Sequence, residues 1–131
     1  MQIEASARED VLRVAGEWCR QMASAEPAGF ARILAPDAAV HGFAPDGSVL
    51  RGPEAVQAYF AQLRVLCKPV ACEVLSSIVQ GDRATLRWTM RFQAGLGACD
   101  RRETQVGGMS MIVTRDRLIV ETWNTYGAPW V

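Results

Sequence analysis

The sequence predicts an α+β fold, with helices first and an antiparallel sheet last. Three observations carry that reading. Apolar residues recur at helical spacing early in the chain and again after Gly52. Beyond Lys68-Pro69 the period changes to the alternation of strands. The chain then closes on two β-rich runs, Gly107–Thr114 and Leu118–Gly127, around a tight polar turn at Arg115–Arg117, the signature of a hairpin. Helices segregated from a run of strands indicate α+β rather than alternating βαβ units.

Ser6 and Glu9 have the spacing of a capping box, a hydroxyl at the N-cap answered by a carboxylate one turn on. The helix they open carries Val11, Val14, Ala15, Trp18 and Met22 on one stripe and is expected to end near Ser24–Pro27. A shorter helix anchored by Phe30, Ile33 and Leu34 is expected to stop at Pro36, since proline cannot sit inside a helix without losing a hydrogen bond. Asp37–Phe43 reads as a short strand. Ala44–Ser48 reads as a turn, because Pro45, Asp46 and Gly47 supply a preset φ, an Asx bond and a positive φ.

Gly52-Pro53-Glu54 opens a second long helix, with Pro suited to the first turn and Glu54 to the positive helix end. Its stripe is Val56, Phe60, Leu63 and Leu66, with Tyr59 beside it. Strands are expected over Val70–Gln80, Arg83–Phe92, Glu103–Thr114 and Leu118–Tyr126, with connections at Gly81-Asp82 and Gly95–Asp100. Strict alternation puts Leu118, Val120, Thr122, Asn124 and Tyr126 on one face of the last strand, and Ile119, Glu121, Trp123 and Thr125 on the other. A face that runs from aliphatic residues to Asn and Tyr reads as a pocket wall with a polar handle.

At 131 residues the chain suits one domain, 1–131, with no internal repeat or linker. Half its residues are hydrophobic, which excludes a disordered chain. Its 14 basic residues balance 14 acidic ones without a basic cluster, so no nucleic-acid partner is expected. Neither an apolar leader nor a membrane-spanning run is present, so no membrane partner is expected and cytoplasmic residence follows by default. The cysteines at 19, 67, 72 and 99 form no CxxC pair and are expected to be free thiols. With one histidine and scattered cysteines, no metal and no cofactor is expected. Gly107-Gly108 precedes a strand and not a helix, so it reads as a bend in a curved sheet and not as a phosphate loop.

Three segments carry a family resemblance: Leu34–His41, Arg51–Phe60 and Arg117–Trp123. In their order and spacing they resemble the NTF2-like superfamily, most closely its SnoaL-like polyketide cyclase and ketosteroid isomerase branch. The resemblance implies an NTF2-like cone, a curved mixed or mostly antiparallel sheet wrapped around the N-terminal helices and enclosing a ligand cavity. It also implies a homodimer formed through the outer face of the sheet. In ketosteroid isomerase a tyrosine of the first helix, an aspartate base after the first strand and a second acid on the third long strand do the chemistry. The matching positions here hold Trp18, Gly42 preceded by His41, and Met109 or, with a one-residue slip, Ser110. All three depart from the pattern, so steroid isomerisation by that route is not expected.

The expected function is therefore that of a small-molecule pocket protein taking a small hydrophobic, carbonyl-bearing ligand. Cofactor-free proton transfer (isomerisation, cyclisation or dehydration) is the chemistry the scaffold favours. The alternatives are a non-catalytic ligand-binding or assembly module and, more remotely, an epoxide hydrolase, which needs carboxylates around a water. His41, Tyr126 and Asn124 are the catalytic candidates. His41 is the only side chain whose unperturbed pKa lies near neutrality, although strict alternation points it away from the cavity unless Gly42 bulges. Trp18, Tyr59, Trp88, Met90, Met109 and Met111, with Phe92, are the candidate apolar wall. Glu121, Arg87 and Arg91 are assigned to the convex face.

Overall fold

A computed structural model describes residues 2–24, 26–94 and 102–127. Helix α1 (Gln2–Ser24) buries Val11, Val14, Ala15, Trp18, Cys19 and Met22, the stripe its spacing dictates. The helix is already under way at Gln2, so Ser6 lies inside it and is not its N-cap. The expected short helix is reduced to one 3₁₀ turn, Phe30–Arg32. Leu34 instead opens strand β1 (Leu34–His41), and Pro36 lies within that strand. Pro36 is tolerated there because pairing with the neighbouring strand is interrupted between Leu34 and Ala39, where no ladder donor is needed.

After the turn, in which Gly47 N–H reaches Ala44 O at 3.0 Å and Ser48 N–H reaches Asp46 Oδ1 at 2.9 Å, the short strand β2 (Leu50–Arg51) leads into α2 (Gly52–Leu66). Val56 and Phe60 are buried, but Leu63 and Leu66 are not: the helix leaves the core after Phe60. Four long strands follow, β3 (Cys67–Gln80), β4 (Arg83–Ala94), β5 (Arg102–Arg115) and β6 (Leu118–Gly127). The connection expected over Gly95–Asp100, with Cys99, lies outside the described residues.

The six strands form one curled sheet in the order β2-β1-β6-β5-β4-β3. All neighbours are antiparallel except β1 and β6, which run parallel, so the sheet is mixed. The fold is an α+β cone: α1 packs across β3 and β4, and α2 lies over β1. Between helices and sheet, Trp18, Phe30, Phe43 and Phe60 form an aromatic core with ring centroids 5.1–6.4 Å apart. Two turns at the narrow end are tied together, since both the N–H and the hydroxyl of Thr114 donate to Asp82 O at 2.9 Å. The β5–β6 hairpin closes through Asp116 and Arg117 at φ 52° and 67°, the two positive angles a tight two-residue turn requires.

Side-chain parity decides what faces the helices. On β4, Ala84, Leu86 and Trp88 are buried against the core while Arg87 and Arg91 face out. On β5, Ser110 and Ile112 are fully buried and Met109 and Met111 are exposed by 36% and 45%. On β6, strict alternation fails at its start: a bulge opposite Val113 and Thr114 turns Ile119 inward, where it is fully buried, and alternation resumes with Thr122, Asn124 and Tyr126. Gly108 has a specific reason beyond sheet curvature, for a Cβ there would stand 2.3 Å from the Trp88 indole. Gly108→Ala is expected to lower stability by about 1–3 kcal/mol through overpacking, seen as a lower urea midpoint with an unchanged slope.

Candidate functional site

The cone encloses a cavity of about 140 Å³ between α1, α2 and the sheet. Its floor is apolar and dry: Met22, Phe43, Phe60 and Trp88 are each at most 5% exposed. Met90, Phe92 and Val106 continue the wall along β4 and β5. At the mouth stand Tyr59, Leu63, Arg64, Cys67 and Tyr126. Alternation on β4 brings Trp88, Met90 and Phe92 to one face, and helical spacing on α2 places Phe60, Leu63 and Arg64 together.

The polar groups at the mouth are two phenols, a thiol and a guanidinium. Tyr59 donates its hydroxyl to Phe43 O at 3.0 Å. Burial, with the neighbouring Tyr126 phenol adding to it, pushes the Tyr59 pKa up to about 12, so Tyr59 acts as a hydrogen-bond donor and not as a base. Tyr126 is half exposed and stacks on Phe43 at 5.8 Å. The Cys67 thiol donates to Leu63 O, and burial raises its pKa, which keeps it a neutral thiol. Among the described residues no His, Asp or Glu lines this cavity, and no three metal-ligating side chains converge.

Several sequence candidates stand elsewhere. His41 points away from the cavity: its Nε2 lies 2.7 Å from Glu121 Oε2, and its ring stacks on Trp123 at 5.3 Å with an interplanar angle of 4°. Met109 and Met111 occupy the outer face of the sheet, because Gly108 and Ser110 take the inward positions of β5. Trp18 is fully buried in the aromatic core, beneath the floor. Asn124 faces inward, with both its amide oxygen and its amide nitrogen bonded within the protein. Its Oδ1 accepts from Ser110 Oγ at 2.6 Å and from Thr122 Oγ1 at 3.4 Å, and its Nδ2 donates to His41 O at 2.8 Å. Tyr59, Trp88, Met90 and Tyr126 do line the cavity.

Ser110 is the hub of that bonding. Its hydroxyl donates to Asn124 and accepts from both indoles, Trp88 Nε1 at 2.9 Å and Trp18 Nε1 at 3.4 Å, which uses its one donor and two acceptor positions. The model of the SnoaL-like domain family matches residues 15–122. The chain belongs to the SnoaL-like family. Solved structures agree on the SnoaL-like fold at low identity. A protein of ketosteroid isomerase-like fold from Catenulispora acidiphila, solved with trimethylamine, superposes with a TM-score of 0.74 at 16% identity, covering 87% of this chain and 85% of its own. IdmH of Streptomyces antibioticus, a proposed polyketide cyclase, gives 0.71 at 19% over 88% and 91%. An NTF2-like protein from Burkholderia xenovorans gives 0.69 at 14% over 92% and 91%. No protein of curated function matches the sequence significantly.

Of the residues matched to ketosteroid isomerase by sequence, Trp18 and Ser110 bond each other and Met109 faces out. Gly42 has φ 101°, and a Cβ there would stand only 1.9 Å from Asn124 O. No side chain fits there. What sequence reading missed is Ser110 as the hub and Arg64 at the mouth. The available signals were the alternation of β5 against Trp88, and the one-turn spacing from Phe60 to Arg64.

Ser110→Ala strands two indole N–H groups and leaves Asn124 Oδ1 only its long bond to Thr122. A loss of about 2–3 kcal/mol is expected, against at most about 0.5 kcal/mol for Thr125→Ala on the exposed face, both measured by urea unfolding.

Proposed function

We propose that this SnoaL-like protein binds a small hydrophobic, carbonyl-bearing molecule in its cavity, as a ligand-binding module with no carboxylate or imidazole base among the described lining residues. The observation that supports this reading most directly is the composition of the lining. A floor of buried Phe43, Phe60 and Trp88 takes an apolar body, and among the described residues the neutral polar groups at the mouth are two phenols and a thiol. Tyr59 and the Cys67 thiol give their protons to backbone carbonyls, so Tyr126 is the hydrogen-bond donor for a carbonyl.

A second reading is cofactor-free proton transfer, supported by the fold shared with a proposed polyketide cyclase and by the Tyr126 phenol at the mouth, a donor that suits a developing enolate. It requires a base from outside the described lining or from the ligand itself. The epoxide hydrolase reading has no support, since no carboxylate lines the cavity among the described residues.

Tryptophan fluorescence tests the binding reading. An alkyl-aryl ketone such as acetophenone and the matching hydrocarbon should both perturb Trp88. Tyr126→Phe should weaken the ketone about five- to tenfold, near 1 kcal/mol for a neutral hydrogen bond, and leave the hydrocarbon unchanged. His41→Ala should alter neither. Absence of any apolar binding would sink the reading, and turnover of the ketone would favour the second one.

The partner we propose is a second copy of the chain, seated on the outer face of the sheet. Register aligns Ile78, Thr85, Met111, Trp123 and His41 in one row across five strands. In that row Ile78, Met111 and Trp123 are 73%, 45% and 40% exposed, an apolar stripe on a chain of zero net charge. Light scattering is expected to show a dimer that Met111→Lys with Trp123→Lys converts to a folded monomer. A wild-type chain that stays monomeric at high concentration overturns this.

A further inference from the structure

Among the described residues, Arg64 is the one formally charged side chain in the lining of the cavity. It stands in the last turn of α2, exposed at the mouth, with the buried aromatic floor below it. Its Nη2 donates to Ala23 O at 2.9 Å near the end of α1, which fixes the side chain beside the opening. Among the described residues no carboxylate forms an ion pair with it. A guanidinium carries five N–H donors in a planar fork, and Ala23 takes one of them. The rest of the fork matches the two oxygens of a carboxylate.

The volume limits what the apolar part of a ligand can be. A cavity of about 150 Å³ holds a benzene ring, and this one is about 140 Å³. We propose that the cavity selects monocarboxylic acids carrying a single ring or a hydrophobic body of that size. The ring occupies the Phe43, Phe60 and Trp88 floor, the carboxylate meets Arg64, and Arg64 is the specificity-determining residue. This rests on the ligand-binding reading above and narrows its carbonyl compound to an acid. The Tyr126 phenol stands at the same mouth and can donate to the same oxygens, while Tyr59 keeps its proton on Phe43 O.

The test is a titration of the full chain, by calorimetry or tryptophan fluorescence, with phenylacetate, neutral phenylacetamide and cationic benzyltrimethylammonium. Phenylacetate is expected to bind at least about tenfold tighter than the amide, as a charge-assisted fork outweighs a neutral bond, and the cation is expected to bind weakest. The acid's advantage should shrink as salt rises, while the amide's affinity holds. Arg64→Gln keeps an N–H for Ala23 O and should erase the preference without weakening the amide. Arg64→Lys should restore part of it, charge without the fork. Equal binding of acid and amide by the wild type, or an equal loss of both in Arg64→Gln, overturns the proposal and makes Arg64 a structural pin between the helices. If the amide and acetophenone also fail to bind, it is the ligand-binding reading that has failed.

Discussion

The buried hydroxyl of Ser110 holds this structure together in a literal sense. Through it β5 is bonded to β4 at Trp88, to α1 at Trp18 and to β6 at Asn124, and Asn124 carries the connection to the backbone of β1 at His41. One side chain thus links the helix layer to four strands. In a region this dry each bond is electrostatically strong, and each unmade bond is costly. The network is complete: no buried side-chain nitrogen or oxygen among the described residues lacks a partner. It also sets the cavity, because the Trp88 indole that Ser110 holds is part of its floor.

That same network leaves the SnoaL-like fold its cavity while spending the deep polar atoms on one another. Trp18 and Trp88 donate to Ser110, Ser110 donates to Asn124, and at Gly42 the backbone of β6 occupies the space of any Cβ. Bonding capacity is left at the mouth, where Arg64 spends one N–H on Ala23 O and keeps the rest of its fork. Fold and function separate along a physical line: the deep polar atoms bond one another, and the rim carries the donors that remain.

Much of this was legible in the sequence. The α1 stripe, the Ala44–Ser48 turn, the opening of α2 and the four long strands follow from spacing, turn chemistry and alternation, which are local properties. What failed was set by contacts distant in sequence. Leu34 looks like a helix anchor until β6 arrives beside it, and Pro36 stops no helix because it falls where that pairing lapses. Ile119 turns inward only because of a bulge against β5. Met109 and Met111 look like a flexible pocket wall by composition, and parity fixed by Ser110 and Gly108 sends them outside. For the site, residue type suggested His41, Asn124 and Tyr126, but type does not say whether a polar atom is already bonded. Asn124 is bonded at both amide atoms, His41 is paired with Glu121, and Tyr126 alone of the three lines the cavity.

Register is where these constraints converge. Ser110 and Asn124 are direct cross-strand partners on β5 and β6, and Met111 and Trp123 are the next pair on the opposite face. A slip of one residue on β6 would carry the Trp123 indole into the position of the Asn124 amide, beside Gly42, where the backbones leave no room. It would also take from the Ser110 hydroxyl the acceptor for its proton. The apolar row on the outer face and the saturated polar hub on the inner face are therefore specified by the same choice. One buried bond, Ser110 to Asn124, fixes both what lines the cavity and what the sheet presents to its surroundings.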